Sequence, residues 1–177
     1  VQFETIHPYL DGNGRIGRLL VTILLAHFGV LSSPLLFLSL FFKRHRDEYY
    51  RRLSAVRSDG DWEGWIHFFL DAVAVIAGEA TSAAKEIVHL IGNDRTRLLA
   101  QVSSTMMAQR LFEQLPEHPV VSVDTAVQLL NTTKPTAMKS IGVLVEAGIL
   151  AETTGRKRDR VFCYQAYLDV LATGTQL

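Results

Sequence analysis

Cysteine is nearly absent from this sequence, since Cys163 is the single one among 177 residues. This excludes a disulfide framework and a zinc site built from cysteines. Such cysteine usage fits a reducing compartment, and we expect a cytoplasmic location. Net charge is absent as well, because 18 basic side chains balance 18 acidic ones. The chain as a whole therefore has no bulk attraction to nucleic acid or anionic membranes, and any such binding must depend on local clusters.

The sequence also lacks an uninterrupted hydrophobic run long enough to span a membrane. The strongest candidate, residues 19–42, is broken by His27, Gly29 and the Ser32-Ser33-Pro34 cluster, whereas a spanning helix takes about 20 consecutive apolar residues. We therefore expect no membrane partner and interpret this segment as two buried helices joined by a break. With 48% apolar and 20% charged residues, the composition is that of a soluble globular protein.

The spacing of apolar residues predicts a mainly α protein. Helices are expected over residues 42–56, over a longer segment from a candidate N-cap at Asp61 to about Leu90, and over residues 95–115. The turn-forming triplet Gly92-Asn93-Asp94 predicts the end of the long helix. Two prolines then predict a domain boundary, which divides the chain into residues 1–115 and 116–177.

The second domain combines short helices with a small β-hairpin. Helices are expected over residues 122–130 and 134–145, with Pro135 suited to the first turn of the second one. Strands near Ile149 and over residues 160–164 would then form the hairpin. This order of elements resembles a winged helix-turn-helix.

The most informative segment runs from His7 to Arg18 and reads His-Pro-Tyr-Leu-Asp-Gly-Asn-Gly-Arg-Ile-Gly-Arg. Its centre is turn chemistry, with two glycines that tolerate positive φ and close backbone approach. The turn leads directly into a helix, whose free N–H groups and dipole favour an anion at its N-terminus. Arg15 and Arg18 are three residues apart, so both can lie on one face near that anion and offer planar forks to phosphate oxygens.

His7 and Asp11 complete the set of groups needed for phosphoryl or nucleotidyl transfer. A histidine can take a proton near neutral pH. A carboxylate beside a phosphate site is a suitable ligand for Mg²⁺, which is commonly held by one or two carboxylates together with the phosphates. A base, a metal ligand and an anion site are the parts that such a transfer requires.

This segment closely resembles the signature of the Fic family, His-Pro-Phe-x-Asp/Glu-Gly-Asn-Gly-Arg-x-x-Arg. Tyr9 replaces the usual Phe, and we expect its ring to anchor the turn in the core as Phe would. Downstream similarity, including Tyr49-Tyr50-Arg51-Arg52-Leu53, extends the resemblance to about residue 110. The resemblance implies the C-terminal part of a Fic helical bundle, incomplete at its N-terminus, so we expect the chain to be a piece of a longer protein.

The resemblance also implies a function, namely transfer of AMP from ATP, with Mg²⁺, to a Ser, Thr or Tyr hydroxyl of a target protein. His7 would be the base, Asp11 the metal ligand and Arg15 the residue that holds the phosphates, while Arg18 would support the turn or the γ-phosphate. The anion hole would be formed by Gly12, Asn13 and Gly14. Within catalysis, the alternatives are transfer of another nucleotidyl or phosphoryl group, or removal of AMP.

A DNA-binding regulator is an alternative from another class. Residues 116–177 hold six Lys/Arg and six Asp/Glu, so the domain as a whole has no basic surplus. Protein contact or dimerisation is a further role for this domain, and a homo-oligomer is therefore an open alternative. The candidate DNA contacts are Lys134, Lys139, Arg156, Lys157, Arg158 and Arg160, with Thr136 and Ser140 on the same helix.

Overall fold

The computed structural model describes residues 2–30, 37–156 and 159–173. The described chain is mainly helical with one small antiparallel sheet, which confirms the predicted fold class. The helices are α1 (Gln2–Ile6), α2 (Asn13–His27), α3 (Leu38–Arg44), α4 (Arg46–Ser58), α5 (Trp62–Ala100), α6 (Met106–Gln114), α7 (Val123–Leu130), α8 (Lys134–Glu146) and α9 (Gln165–Thr173), and the strands are β1 (Val120–Ser122), β2 (Ala151–Glu152) and β3 (Val161–Cys163).

The chain divides into two compact units at the junction between Ser82 and Ala83. The predicted domain bounds, 1–115 and 116–177, stay a prediction. In the first unit the core is largely aromatic. The Phe42 ring lies 5.0 Å from Tyr49 and 5.9 Å from Phe68, centre to centre, within the range that favours aromatic pairs. The buried members of this core are Leu38, Phe41, Phe42, Tyr49, Leu53, Phe68, Ala72 and Ile76.

Helix α2 contributes only partly to that core. Val21 and Leu25 pack against it, but Leu19 and Ile23 on the other side are 58% and 51% exposed. The expectation that this segment is a buried helix is therefore wrong for α2, because no described residue covers its second apolar face. It is confirmed for α3, where Leu38, Phe41 and Phe42 are buried. The expected break at residues 32–34 lies outside the described residues.

The helix predicted over residues 42–56 is two helices, because the chain turns at His45. The backbone of His45 has φ −112° and ψ 42°, which is not helical. Its N–H still donates to Phe41 O at 2.9 Å. His45 is therefore both the C-cap of α3 and the N-cap of α4. The acidic side chains of Asp47 and Glu48 lie in the first turn of α4, where the helix dipole stabilises them.

In the second unit, three strands form an antiparallel sheet in the order β1-β3-β2. Val121 pairs with Phe162, and Glu152 pairs with Phe162 from the other side. The predicted hairpin is confirmed, whereas β1 and α9 were not anticipated. The assignment of these elements to the winged-helix family stays a prediction. The core beneath the sheet combines residues of α5 to α8 and β3, among them Leu98, Leu111, Leu115, Leu130, Leu144 and Tyr164.

Helix α5 runs through the triplet at which we expected a helix end. Asp94 faces inward, is 1% exposed, and accepts a hydrogen bond of 2.6 Å from the Tyr164 hydroxyl. Arg97, one turn further along, also binds its carboxylate. Since these partners satisfy the side chain, Asp94 has no need to bond to the backbone and end the helix. The predicted end of α5 is therefore wrong, and the prediction of an N-cap at Asp61 is confirmed by its bond to Gly64 N–H.

By length and composition, α5 could also cross a membrane. An 18-residue window of this helix has a mean hydropathy of 1.3, and 17% of the window is buried. Apolar side chains such as Ile66, Leu70 and Val88 are more than half exposed. The absence of a membrane partner stays a prediction.

Candidate anion-binding active site

The turn before α2 is held open by a glycine in a left-handed conformation. Gly12 is the N-cap of α2 and has φ 81° and ψ 4°, a conformation that residues with a Cβ seldom adopt. Its N–H donates to Oδ1 of Asp11 at 2.6 Å. The carboxylate therefore bends back over the turn while its second oxygen stays exposed to solvent.

Asn13 fixes the shape of the same turn. Its side chain is buried, with 2% exposed. Oδ1 accepts from Tyr9 N–H at 2.9 Å, and Nδ2 donates to Tyr9 O at 2.6 Å. These contacts assign the carboxamide to positioning the loop, so that what Asn13 offers an anion is its backbone N–H.

The N-terminus of α2 presents unpaired backbone donors. The first bond of the helix runs from Ile16 N–H to Gly12 O at 3.0 Å, and no side chain caps Gly12. The N–H groups of Asn13, Gly14 and Arg15 precede that bond, so they have no partner within the helix. Such groups are the donors that an anion site at this helix end requires, and anion binding here stays a prediction.

Arg15 and Arg18 add positive charge at this end of α2. The Arg15 side chain is 76% exposed, and its Nη2 lies 3.5 Å from Oδ2 of Asp11. A contact this exposed contributes little to stability, so the guanidinium is available to a ligand. Arg18, one turn along, lines a cavity of about 360 Å³ together with Lys43, Arg46 and Tyr50.

Sequence analysis missed Lys43 and Arg46 as parts of this basic site. They belong to an amphipathic stretch of alternating aromatic and basic residues, which reads as the solvated face of a helix. In the structure, the Arg46 guanidinium lies 5.7 Å from the centre of the Tyr50 ring. Proximity to Arg18 was the missing information, and it depends on how α2 packs against α3 and α4.

His7 lies just before the turn and borders a second cavity. Its φ is 52°, a left-handed conformation that is uncommon for a residue with a side chain and is typical of functional sites. Its N–H donates to Phe3 O at 3.1 Å, which ties it to the end of α1. The cavity, of about 300 Å³, is lined by Thr5, His7, Tyr50, Leu53, Ser54 and Arg57.

Tyr9 does not anchor the turn in the core. Its side chain is 54% exposed, and its ring centre lies 6.4 Å from that of Phe3. The expectation that its ring would be buried like a phenylalanine is therefore wrong. The backbone of Tyr9, held by Asn13, supplies the anchoring instead.

Some candidate DNA contacts of the second unit already interact with other side chains or with the backbone. Lys134 Nζ lies 2.8 Å from Asp124, whose carboxylate raises the pKa of that amine. Arg160 lies 3.3 Å from Glu152, and Ser140 is buried and donates to Thr136 O. Lys139 and Arg156 are exposed. Lys157 and Arg158 lie outside the described residues, and DNA binding stays a prediction.

Residues 1–25 match the Fic/DOC family. The match contains α1, the turn and most of α2, and therefore every residue of the anion site from His7 to Arg18. It does not extend over the rest of the 177 residues. The extension of the resemblance to about residue 110 stays a prediction.

Proposed function

We propose that this site transfers AMP from ATP to a Ser, Thr or Tyr hydroxyl of a target protein. The observation that carries the proposal is the convergence of unpaired N–H groups, Arg15 and Arg18 at one helix end, directly after a histidine held in a strained backbone conformation. The match of residues 1–25 to the Fic/DOC family supports the same reaction class.

The chemistry follows from these groups. The imidazole of His7 accepts the proton of the acceptor hydroxyl, and the oxygen attacks the α-phosphorus of ATP. The bond between the α-phosphorus and the bridging oxygen breaks, and pyrophosphate leaves with the electron pair. The N–H groups at the start of α2 stabilise the charge that develops on the α-phosphate. Arg15 and Arg18 hold the leaving phosphates.

Asp11 fits the role of a magnesium ligand. Its side chain is 94% exposed, so one carboxylate oxygen can bind a cation that the phosphates also bind, as is usual for Mg²⁺. Among the described residues, no group of three or more His, Cys, Asp or Glu could hold a metal. Bound Mg²⁺ would neutralise charge on the phosphates of ATP.

The nucleotide base would bind in the cavity beside His7. It combines an aromatic ring and an aliphatic side chain, Tyr50 and Leu53, with the polar Ser54 and Arg57. Such a mixture is typical of small-molecule sites. Because His7 lines the same cavity, a base bound there would lie beside the histidine.

The test compares two labels in a cell lysate supplemented with the purified chain and Mg²⁺. Proteins are separated after incubation with ATP labelled at the α or at the γ phosphorus. Label that depends on the added chain is expected from the α position alone. His7→Ala is expected to abolish this label, whereas the control His27→Ala, an exposed histidine at the other end of α2, is expected to retain it.

Two outcomes contradict the proposal. Chain-dependent label from the γ position alone would show a kinase. Chain-dependent α label that persists in His7→Ala would remove the histidine from its assigned role.

A further inference from the structure

Helix α8 carries an exposed face with a glycine at its centre. Gly142 lies in the interior of the helix, and a Cβ built there meets nothing within 4 Å. A glycine in a helix interior costs about 1 kcal/mol relative to alanine, and the fold of this chain gives no steric reason for it. The missing Cβ leaves room at this point of the helix for another backbone to approach closely.

Apolar side chains flank Gly142 on one side. Met138 is 49% exposed and Val145 is 39% exposed. They line a groove of about 270 Å³ whose other lining residues include Phe162 and the charged Glu146, Glu152 and Arg160. The spacing of Met138, Gly142 and Val145 places them on one face of the helix.

Two charged side chains follow Met138 and Val145 by one position each. Lys139 and Glu146 are both exposed and seven residues apart, which is about 10 Å along the helix. Neither forms an ion pair with a described residue, and Glu146 accepts only from the Ser103 hydroxyl, at 3.2 Å. The face therefore presents one free positive and one free negative charge at opposite ends.

We propose that α8 of a second copy of this chain packs antiparallel on this face, with a two-fold axis between Gly142 and Val143. In a two-fold interface, a residue that contacts a second one is contacted by it in return. With the axis at this position, Lys139 lies opposite Glu146 of the second copy, and Glu146 lies opposite its Lys139. Gly142 then lies where the two helices cross, and Met138 and Val145 are covered.

Charge complementarity favours a second copy of this chain over DNA as the partner of this face. Lys139 and Glu146 have opposite charges, so with the axis midway between them each lies opposite its counterpart on the second copy. Two of the basic residues expected to bind phosphates are compensated, since Lys134 is paired with Asp124 and Arg160 with Glu152. A phosphate backbone would also face the uncompensated carboxylate of Glu146.

A charge-swap series in sedimentation equilibrium tests the proposal on the whole chain. The wild type is expected to dimerise. Lys139→Glu and Glu146→Lys each place two like-charged pairs across the axis, so each is expected to raise the dimer dissociation constant at least about tenfold. The double variant restores both pairs with exchanged signs and is expected to recover dimerisation. Arg110→Glu and Glu117→Lys, at exposed charges that are not part of α8, are the matched controls.

Gly142→Ala adds a test that does not depend on charge. Alanine favours the isolated helix, so the monomer is expected to melt at a higher temperature. The added methyl separates the two helices, so the dissociation constant is expected to rise. Loss of dimerisation without loss of folding therefore identifies the interface.

Three results would overturn the proposal. One is a monomeric wild type at every concentration. Another is a dimer that is unchanged by either single charge reversal, since a different face would then be responsible. The third is a monomer that retards DNA in a salt-sensitive manner and loses this property in Lys139→Glu. Each can be obtained whether or not the chain transfers AMP, because none of these measurements uses ATP.

Discussion

The side-chain amide of Asn13 binds the backbone of Tyr9 in both directions, donating to its carbonyl at 2.6 Å and accepting from its N–H at 2.9 Å. A residue at the start of α2 thereby closes the turn that precedes it. The pair fixes where Asp11 and Gly12 lie relative to the helix N-terminus. The side chain of Asn13 therefore positions the turn, while its backbone N–H is one of the donors offered to an anion.

Replacement of Asn13 is expected to impair transfer without unfolding the chain. Asn13→Ala removes both bonds, and a displacement of about 1 Å in such a site can cost about a hundredfold in rate. Asn13→Asp keeps the acceptor but loses the donor, so a smaller loss is expected. Transfer rate and hydrogen exchange at the Tyr9 amide are measured together, with Asn93→Ala, an exposed asparagine on α5, as the control. A slow Tyr9 amide in Asn13→Ala would contradict the positioning role.

Tyr50 is expected to set the affinity for the nucleotide base. Its ring lines both cavities beside the anion site and is 51% exposed, so it can stack on a base. Tyr50→Ala is expected to raise KM for ATP roughly tenfold, in line with about 1–3 kcal/mol for a base stacked on an aromatic side chain, and to alter kcat less. Trp62→Phe, at an equally exposed aromatic residue outside both cavities, is the control. An unchanged KM would place the base elsewhere.

The turn could be predicted from sequence because its chemistry is local. Gly12, Asn13 and Arg15 lie within a few residues of one another, and the φ of 81° is the kind that a glycine signals. The continuity of α5 could not be predicted in this way. Asp94 binds Tyr164, which is 70 residues away in sequence. Local helix propensity does not depend on such a distant partner, so it cannot predict this bond. For the same reason Arg46 was missed, since its place in the site depends on packing.

Tyr164 and Asp94 provide a stability prediction for the second unit. Tyr164 is fully buried. Its hydroxyl donates a hydrogen bond to the carboxylate of Asp94, which is 1% exposed. Tyr164→Phe leaves that carboxylate without one of its donors, so a loss of about 1–3 kcal/mol in the free energy of unfolding is expected. Urea unfolding measures it, with Tyr167→Phe as the control. A loss no larger than that of the control would show that Arg97 alone satisfies Asp94.

The same tyrosine gives a prediction at alkaline pH. Burial, and then the bond to Asp94, raise the pKa of Tyr164 above its ordinary value. Because the pKa is raised in the folded state, its stabilising effect is fully present below the unfolded pKa of about 10 and is lost as the pH rises beyond it. The advantage of the wild type over Tyr164→Phe is therefore expected to be constant near neutrality and to shrink above about pH 10. A stability advantage of the wild type that grows with pH would contradict a raised pKa of Tyr164.

Glu48 gives the corresponding prediction in acid. Arg51 and Arg52 donate to its carboxylate at 2.5–2.7 Å, and these bonds lower the pKa of Glu48 to about 2. Because the pKa is depressed, the stabilising effect is present above the unfolded pKa of about 4.3 and is lost as the pH falls toward 2. The stability difference between wild type and Glu48→Gln is expected to be largest above pH 5 and to vanish near pH 2. Glu86→Gln, at an exposed and unpaired glutamate, is expected to show no such dependence.

Two glycines of α5 allow a matched comparison within one helix. A Cβ on Gly64 would overlap the side chains of Arg52 and Asp61, whereas a Cβ on Gly78 meets nothing within 4 Å. Asp61 caps α5 through the N–H of Gly64 at 2.9 Å, so Gly64→Ala displaces the cap and is expected to lower the free energy of unfolding by about 1–2 kcal/mol. Gly78→Ala only improves helix propensity and is expected to raise it by up to about 1 kcal/mol. Thermal unfolding of both variants shows whether each substitution lowers or raises the stability. Stabilisation by both substitutions would mean that Asp61 and Arg52 move aside at no cost.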